Sequence, residues 1–132
     1  MKMFVFWGAL FCFLGVLAGA VGAHALKDYL IKMEGLNRYL LATDYMLYHG
    51  IALILVASAL DRFPEIPFHH AGWLFVAGTI LFQGNLYLLS LTRLRFFGAL
   101  TPIGGICLLI AWLLFAVYAL RIRKSDNGTK II

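Results

Sequence analysis

Two histidines, His24 and His49, are the residues in this sequence with the widest chemical range. An imidazole can relay a proton, contact a substrate, or ligate a metal or a haem. His24 follows a long apolar run, and His49 stands near the beginning of the next one. Ionisable groups inside apolar segments are costly and often functional. The competing interpretation is that each imidazole hydrogen-bonds a backbone carbonyl or a lipid headgroup, and the sequence leaves both interpretations open.

Other polar side chains border or interrupt the apolar runs. Tyrosine and threonine hydroxyls, amides and a carboxylate can all hydrogen-bond a ligand, and they recur in separate apolar segments. With the two histidines they make up the predicted ligand-binding set, which is His24, Asp44, Tyr45, Tyr48, His49, Gln83, Asn85, Tyr87 and Thr101.

No arrangement typical of an enzyme accompanies these residues. The sequence has no hydrolase triad signature, no phosphate-binding glycine loop and no HExxH-type zinc motif. Cys12 and Cys107 lie inside apolar segments without metal-type spacing, which favours a packing role. We therefore predict a protein that is not an enzyme and that has no metal site and no cofactor.

The composition places these residues in a membrane protein. Charged residues make up 13% of the 132 residues and hydrophobic residues 63%, and the mean hydropathy is +0.90. A soluble domain has roughly 25% charged residues, and a chain this short cannot bury so much apolar surface in its own core. Lipid is therefore the expected solvent.

A helix needs roughly 20 residues to cross the hydrocarbon layer, and four apolar runs reach or approach this length. They are Met3–Ala23, Tyr45–Leu60, Ala71–Leu91 and Phe97–Leu120. We predict an all-α integral membrane protein with four transmembrane helices in one bundle. Residues 1–124 form this single domain, and residues 125–132 are expected to be a short mobile tail. The first run also resembles a cleavable signal peptide, but its length and glycine spacing favour a retained helix.

The segment Lys27–Thr43 mixes charges with Tyr, Leu and Ile side chains. This mixture is typical of an amphipathic helix that lies in the membrane interface. We predict such a helix between the first and second spans, with a flexible loop as the alternative.

Glycines mark the predicted helix-packing faces. On the first helix, Gly8, Cys12, Gly15, Gly19 and Gly22 recur at steps of four and three, and the fourth run carries Gly104 and Gly105. Small residues let two helix backbones approach closely in lipid. Pro102 fits the first turn of the fourth helix, and it would kink that helix if the helix began near Phe97.

The charge distribution bears on partners and orientation. The net charge is +5, and a basic cluster follows the last apolar run, which is typical of an anchor at the membrane surface. Membrane lipids are therefore the expected partner, and nucleic acid is not. The side that holds the termini has six Lys and Arg residues and the other side has five. We predict an integral protein of the plasma (inner) membrane with cytoplasmic termini.

The polar residues are expected to share one half of the membrane. Successive spans alternate in direction, and the predicted set falls at the end of helices one and three and at the beginning of helices two and four. Polar groups in hydrocarbon are costly unless they pair. We predict a polar pocket away from the termini, with Lys27–Thr43 above it; the alternative is that each group caps its own helix end.

Several motifs occur in an order that resembles a known family. They are Gly19-Ala20-Val21-Gly22-Ala23-His24, Tyr45 to His49, Gly84 with Leu86-Tyr87, and Thr101-Pro102-Ile103-Gly104-Gly105 with Ala111-Trp112. The chain resembles, from about Leu14 to Leu120, the small bacterial membrane proteins of domain-of-unknown-function family 423. Gln83 and Asn85 stand where small hydroxyl residues are expected. The resemblance implies four membrane helices and no established activity.

The first functional hypothesis is a non-enzymatic membrane protein that binds a lipid, a small ligand or a partner. The alternative is a small transporter or channel, acting as a homo-oligomer. Such proteins line a continuous path with polar groups, and the half of the bundle that holds Leu10, Ile54, Val76 and Phe115 is nearly all apolar, which disfavours this alternative.

Overall fold

The computed structural model describes residues 1–122 and places almost all of them in helices, with no strand in that range. Four helices are long and apolar enough to cross a membrane, which confirms the predicted four-span, all-α fold. Arg121 of the basic cluster is described, whereas Arg123, Lys124 and the predicted mobile segment 125–132 lie outside the described residues. The helices are α1 (Lys2–Ala23), α2 (Lys27–Lys32), α3 (Leu36–Arg62), α4 (His69–Thr92) and α5 (Arg95–Ala119).

The long helices pack in the spatial order α1, α3, α4, α5, with α4 and α5 sharing the most extensive contact. The two central helices, α3 and α4, bury 50% and 44% of their most apolar stretches, whereas α1 and α5 bury 22% and 17%. The outer helices can therefore be almost wholly apolar, because lipid covers them. The central helices carry the buried polar side chains, because only protein contacts can satisfy those groups.

Glycines face each other at close contacts in two of the helix pairs. A Cβ atom on Gly8 of α1 would meet the Gly50 carbonyl oxygen of α3 at 2.6 Å, and one on Gly78 of α4 would meet the Gly104 carbonyl oxygen of α5 at 3.1 Å. A Cβ on Gly104 itself would collide with the Phe82 backbone. Since no side chain separates the backbones, each pair gains close van der Waals contact.

The other predicted packing glycines differ in how tightly they are enclosed. Gly15 lies against the Leu47 side chain, and Gly22 lies against the Tyr39 ring. Gly19 and Gly105 have more room, with their nearest neighbours at 3.5 Å and 3.4 Å from an added Cβ. The glycine face of α1 therefore packs on α3 along its whole length, with its closest contacts at Gly22, against the Tyr39 ring, and at Gly8, against the Gly50 backbone.

The predicted interfacial helix is divided in the structure. Only Lys27–Lys32 forms a separate helix, and a turn follows in which Glu34 has a left-handed φ of 55° and the Gly35 N–H donates to the Leu30 carbonyl oxygen. The remainder, from Leu36, is the beginning of α3. The predicted helix between the first two spans is therefore present as α2, but its extent over Lys27–Thr43 is wrong. The turn at Gly35 redirects the chain, and Tyr39, Ala42 and Thr43 after it are buried by neighbouring helices.

Hydrogen bonds and packing hold this turn against the C-terminal end of α4. Tyr29 donates its hydroxyl to the Leu91 carbonyl oxygen at 2.6 Å, and Gly35 packs on the Ser90 backbone. Arg93, also left-handed with a φ of 57°, forms an exposed ion pair with Glu34 at 3.4 Å. Neither the turn nor the α4 end is free to move alone.

Pro102 lies about two turns inside α5, because α5 begins at Arg95. The expectation that it sits in the first turn is wrong. Without an N–H, Pro102 leaves the Gly98 carbonyl without its usual helical donor. Thr101 donates its hydroxyl to the Phe97 carbonyl oxygen at 2.9 Å, so that side chain is engaged within its own helix.

Candidate functional site

His49 is the middle residue of the 27-residue α3 and is only 5% exposed. The prediction that it stands in the first turns of the second span is wrong, because α3 begins nine residues before Tyr45. His24 is exposed just beyond the end of α1. Gly22 packs on Tyr39, and ten residues of helix, about 15 Å, separate Tyr39 from His49. The two histidines therefore do not form one site.

Three helices meet at His49 through a polar cluster. The indole Nε1–H of Trp112 on α5 donates to His49 Nε2 at 3.1 Å. His49 Nδ1 lies 2.7 Å from the Tyr45 carbonyl oxygen, one turn earlier on α3, and 3.1 Å from the Gln83 amide on α4. We call His49, Gln83 and Trp112 the central cluster, and it joins α3, α4 and α5 by side chains alone.

The donors of the central cluster fix the form of the imidazole. An indole N–H can only donate, so His49 Nε2 must accept from Trp112. The ring proton is then on Nδ1, which donates to the Tyr45 carbonyl oxygen. His49 is therefore a neutral imidazole, and its Nε2 lone pair points towards α5.

The orientation of the Gln83 amide follows from the same network. Its two ends are distinguished by their hydrogen bonds, and an amide NH₂ cannot accept from Nδ1–H. The structure has Gln83 Nε2 3.1 Å from His49 Nδ1. Because both atoms would then be donors, we assign the amide with its ends exchanged, so that its oxygen accepts and the Nδ1 proton is shared between Tyr45 and Gln83. The far position of this fully buried amide, which Oε1 occupies in the structure, has no hydrogen-bond partner within residues 1–122.

Thr79, one turn before Gln83 on α4, has a second unpartnered polar group. Its side chain is fully buried, and its hydroxyl has no hydrogen bond within the described residues. The other serines and threonines in residues 1–122 donate to the carbonyl oxygen four residues earlier; they are Thr43, Ser58, Ser90, Thr92 and Thr101. Thr79 thus differs from them, because its hydroxyl makes no hydrogen bond to the backbone of its own helix.

A groove of about 690 Å³ opens beside the central cluster, between α3 and α5 and above the Phe82 ring of α4. We call it the α3/α5 groove; its lining includes Tyr45, Tyr48, His49, Phe82, Gly105 and Trp112. Apolar surface dominates this lining, and its residues include no Lys, Arg, Asp or Glu. The Tyr45 ring stacks on Phe82 with centroids 5.5 Å apart, and Tyr48 is 57% exposed. Neither tyrosine hydroxyl hydrogen-bonds to the described protein.

The structure thus brings Tyr45, Tyr48, His49 and Gln83 of the predicted set to the groove or to the cluster behind it. Other members of the set are engaged elsewhere. Asn85 donates to the Leu81 carbonyl oxygen of its own helix, Tyr87 hydrogen-bonds Thr43 at 2.9 Å, and Asp44 is exposed.

Thr43 and Tyr87 belong to a second polar contact nearer the α2 turn. Tyr39 donates its hydroxyl to the Ala18 carbonyl oxygen at 2.6 Å, and its ring packs edge-on against Tyr87 at 5.1 Å. This group ties α1, α3 and α4 together beside a smaller groove of about 320 Å³. It is lined almost entirely by apolar atoms, so it offers less chemistry than the α3/α5 groove.

Trp112 is the site residue that is absent from the ligand-binding set predicted from the sequence. Two facts about it were available: an indole N–H inside a membrane span needs an acceptor, and few side chains in the other spans can accept. The sequence does not show which way the Trp112 side chain points from α5. It therefore could not decide whether the indole N–H donates to His49 or to a backbone carbonyl.

Four spans, an all-helical bundle and a buried polar cluster at mid-helix define the class: a small multi-pass integral membrane protein. The chain belongs to the family described as "Protein of unknown function (DUF423)", whose model matches residues 18–105. That range includes His49 and Gln83 and ends before Trp112.

Curated relatives agree with this assignment. The chain is 40% identical over 121 residues to a UPF0382 membrane protein of Staphylococcus epidermidis, covering 92% of this chain and 98% of the relative. It is 38% identical over 122 residues to the UPF0382 membrane protein YwdK of Bacillus subtilis, with coverage of 92% and 98%. These names state a membrane location and no activity. No solved structure matches the chain.

Proposed function

We propose that the protein is a non-enzymatic membrane component that binds a lipid-like amphiphile from the side, in the α3/α5 groove. One observation carries this proposal: a groove of about 690 Å³ with apolar walls has the His49–Trp112 pair at its inner end. Ligand pockets of roughly 300–1,000 Å³ are typically apolar with a few placed polar groups, and this groove matches that description.

The position of the groove supports entry from the membrane and not from water. Tyr45 and Tyr48 lie in the N-terminal half of α3, and Pro102 and Gly105 lie in the N-terminal half of α5. Both halves are on the side away from the chain termini, because the spans alternate in direction. The groove therefore runs from the middle of the bundle into that half of the membrane, and its walls favour an aliphatic chain.

Packing on the terminal side of His49 supports binding over transport. A transporter or channel needs polar groups through both halves of the membrane. Beyond His49, the described core is mainly apolar, and its fully buried members include Leu53, Val56, Phe68 and Phe75. Its polar groups are isolated there: the Thr79 hydroxyl has no partner within residues 1–122, and His70 pairs with the Tyr118 hydroxyl. Under the orientation with cytoplasmic termini in the plasma (inner) membrane, the groove is in the outer half. A homo-oligomer that surrounded a wet axis would be the arrangement that favours transport instead.

Two glycine substitutions test the proposal with a matched control. Gly105 lines the groove, so Gly105→Leu places a side chain inside it, whereas an added Cβ at Gly84 meets nothing within 4 Å. Trp112 is made the only tryptophan by Trp7→Phe and Trp73→Phe, and its fluorescence is measured as a brominated hexadecanol is titrated into unbrominated bilayers. We expect quenching that saturates at low mole fraction in this parent and in Gly84→Leu, and that is lost in Gly105→Leu. Linear, unsaturable quenching that is equal in all three proteins would contradict the proposal.

A further inference from the structure

We propose that the amphiphile is uncharged and carries a hydroxyl group, which binds between Trp112 Nε1–H and His49 Nε2. This inference rests on the proposed function and adds the chemistry of the ligand. It starts from the exposure of the two partners: Trp112 is 42% exposed, and both residues line the α3/α5 groove. The Trp112–His49 hydrogen bond, 3.1 Å long, is therefore at the groove wall and within reach of an occupant.

The two atoms at this wall have opposite and fixed roles. Trp112 Nε1–H is a donor with no capacity to accept, and His49 Nε2 is an acceptor because the ring proton is held on Nδ1. The proton on Nδ1 is retained by the Tyr45 carbonyl oxygen and by Gln83 from the opposite side. Gln83 and Tyr45 are thus positioning residues, because they keep the ring proton on Nδ1 and so leave the Nε2 lone pair, on the Trp112 side, free to accept.

A hydroxyl is the smallest uncharged headgroup that can satisfy both atoms at once. A hydroxyl accepts from the indole N–H while it donates its own proton to the imidazole. A carboxylate and an ester carbonyl accept but do not donate, and an ammonium donates but does not accept. A hydroxyl that enters the Trp112–His49 hydrogen bond replaces that one bond with two. An ester or carboxylate that accepted from Trp112 in its place would leave His49 Nε2 without a donor, and an ammonium that donated to His49 would leave the Trp112 N–H without an acceptor, which costs free energy in a buried site.

Charge points to the same ligand class. The groove lining includes no Lys or Arg to pair with an anion and no Asp or Glu to pair with a cation. His49 is the middle residue of α3, so the site is deep in the hydrocarbon. An unpaired charge there is far more costly than a hydroxyl with two partners. An uncharged alcohol is therefore favoured over a fatty acid or an amine of the same length.

The hydroxyl has two chemical sources, an aliphatic alcohol and a phenol. Aromatic rings border the groove: Tyr45 stacks on Phe82, and Phe75 packs edge-on against Trp112 at 4.9 Å. These rings can pack against either an aliphatic chain or an aromatic ring of the ligand. Both share the donor-and-acceptor chemistry that the site requires, and an alkylphenol of matched chain length distinguishes them.

A displacement series on the otherwise unmodified protein tests this inference. In the single-tryptophan parent, bound brominated hexadecanol is displaced with unbrominated hexadecanol, the alkylphenol, methyl hexadecanoate or hexadecanoate, and the recovery of Trp112 fluorescence is measured. One satisfied hydrogen bond corresponds to an approximately tenfold difference in affinity. We expect at least one of the two hydroxyl compounds to displace the probe at about tenfold lower mole fraction than the ester and the carboxylate.

The outcomes separate this inference from the proposed function. Equal displacement by alcohol, ester and carboxylate would overturn the hydroxyl assignment while leaving groove binding intact. Absence of saturable quenching by the probe would overturn groove binding itself. A preference for the alkylphenol over hexadecanol would identify the phenolic source, and the reverse would identify the aliphatic one.

The variant His49→Phe adds a readout that a purely structural role would not change. It keeps an aromatic ring but removes the acceptor, so the hydroxyl compounds should lose their advantage while the ester binds as before. An unchanged preference for alcohol in a folded His49→Phe protein would contradict the inference. The displacement series on the parent decides the question even if this variant does not fold.

Discussion

At the scale of single residues, the central cluster depends on donors and acceptors from three helices, and no member can be removed without exposing another. Trp112 supplies the only hydrogen bond that His49 Nε2 makes in the described protein. Gln83 supplies a partner for Nδ1 on the other side of the ring. In hydrocarbon, water cannot replace a lost partner.

The variant Trp112→Phe should therefore destabilise the fold. It keeps the aromatic volume and leaves His49 Nε2 as a buried, unpaired acceptor, for which we expect a loss of about 1–3 kcal/mol in the free energy of unfolding. Thermal unfolding in detergent is the measurement. Trp73→Phe is the matched control, because Trp73 is half exposed and only packs edge-on against Phe4. Equal losses for the two variants would show that the hydrogen bond is unimportant.

Thr79→Val is expected to act in the opposite direction. The Thr79 hydroxyl is fully buried and unpartnered, and valine has nearly the same shape without the polar atom. Removing an unsatisfied hydroxyl should raise the free energy of unfolding by up to about 1 kcal/mol. Ser90→Ala, which removes a hydroxyl bonded to the Leu86 carbonyl oxygen at 2.7 Å, serves as the contrasting variant and should not stabilise. A fall in the melting temperature of Thr79→Val would mean that its hydroxyl has a partner, such as a bound water.

At the scale of helices, the glycine contacts decide how near the backbones lie. Gly8 with Gly50 joins α1 to α3, and Gly78 with Gly104 joins α4 to α5. Each pair has backbone atoms as neighbours, which cannot rotate away as a side chain can. Substitutions at these positions therefore separate helices, whereas substitution at Gly19, with its nearest neighbour at 3.5 Å, should be far better tolerated.

Gly104→Ala tests this difference with a control in the neighbouring helix. The added Cβ would collide with the Phe82 backbone, so α5 must move, and we expect a loss of about 1–3 kcal/mol. Gly84→Ala adds the same methyl group in open space on α4 and should be neutral or slightly stabilising. Both are measured by thermal unfolding in detergent. Similar stability of the two variants would show that the α4–α5 contact is looser than this geometry requires.

The helix boundaries show what sequence could and could not provide. The runs that form α1 and α4 were predicted within about two residues, because continuous apolar length is a direct signal. The beginning of α3 was missed, because Leu36–Thr43 is mixed in polarity and reads as interfacial. Its side chains are instead satisfied by protein: Tyr39 bonds to α1 and Thr43 bonds to α4. Such contacts depend on which helices are neighbours, and composition does not specify that.

The site was predictable to a similar extent. Polar residues on different spans had to find partners, so a meeting of His49 and Gln83 was a reasonable expectation, and the structure places them 3.1 Å apart. Their depth and their third partner were not predictable, since both depend on the start of α3 and on the rotation of α5. Side chains that can bond their own backbone, such as Asn85 and Thr101, gave a false signal of a shared pocket.

At the scale of the whole molecule, four spans place both ends of the described chain on one side of the membrane. Single cysteines are introduced at Lys2, Lys27 and Glu65, in a background with Cys12 and Cys107 replaced by alanine, and labelled with a membrane-impermeant reagent in oriented vesicles. Positions 2 and 65 should react from the same side and position 27 from the opposite side. Labelling of positions 2 and 27 from one side would contradict the first crossing.

The unequal lengths of α1 and α3 have a consequence for the surrounding bilayer. At 1.5 Å per residue, α1 is about 33 Å long and α3 about 40 Å long, whereas the hydrocarbon layer is about 30 Å thick. Because Gly8 and Gly50 hold the two backbones together, α3 cannot tilt by itself to shorten its crossing. From the Gly8–Gly50 contact the two helices extend almost equally towards α2, so the excess length of α3 projects at the other end, which finishes at Arg62. Every further ångström of hydrophobic mismatch costs a fraction of a kcal/mol. The fold is thereby matched to lipid chain length, independently of any headgroup that the protein recognises.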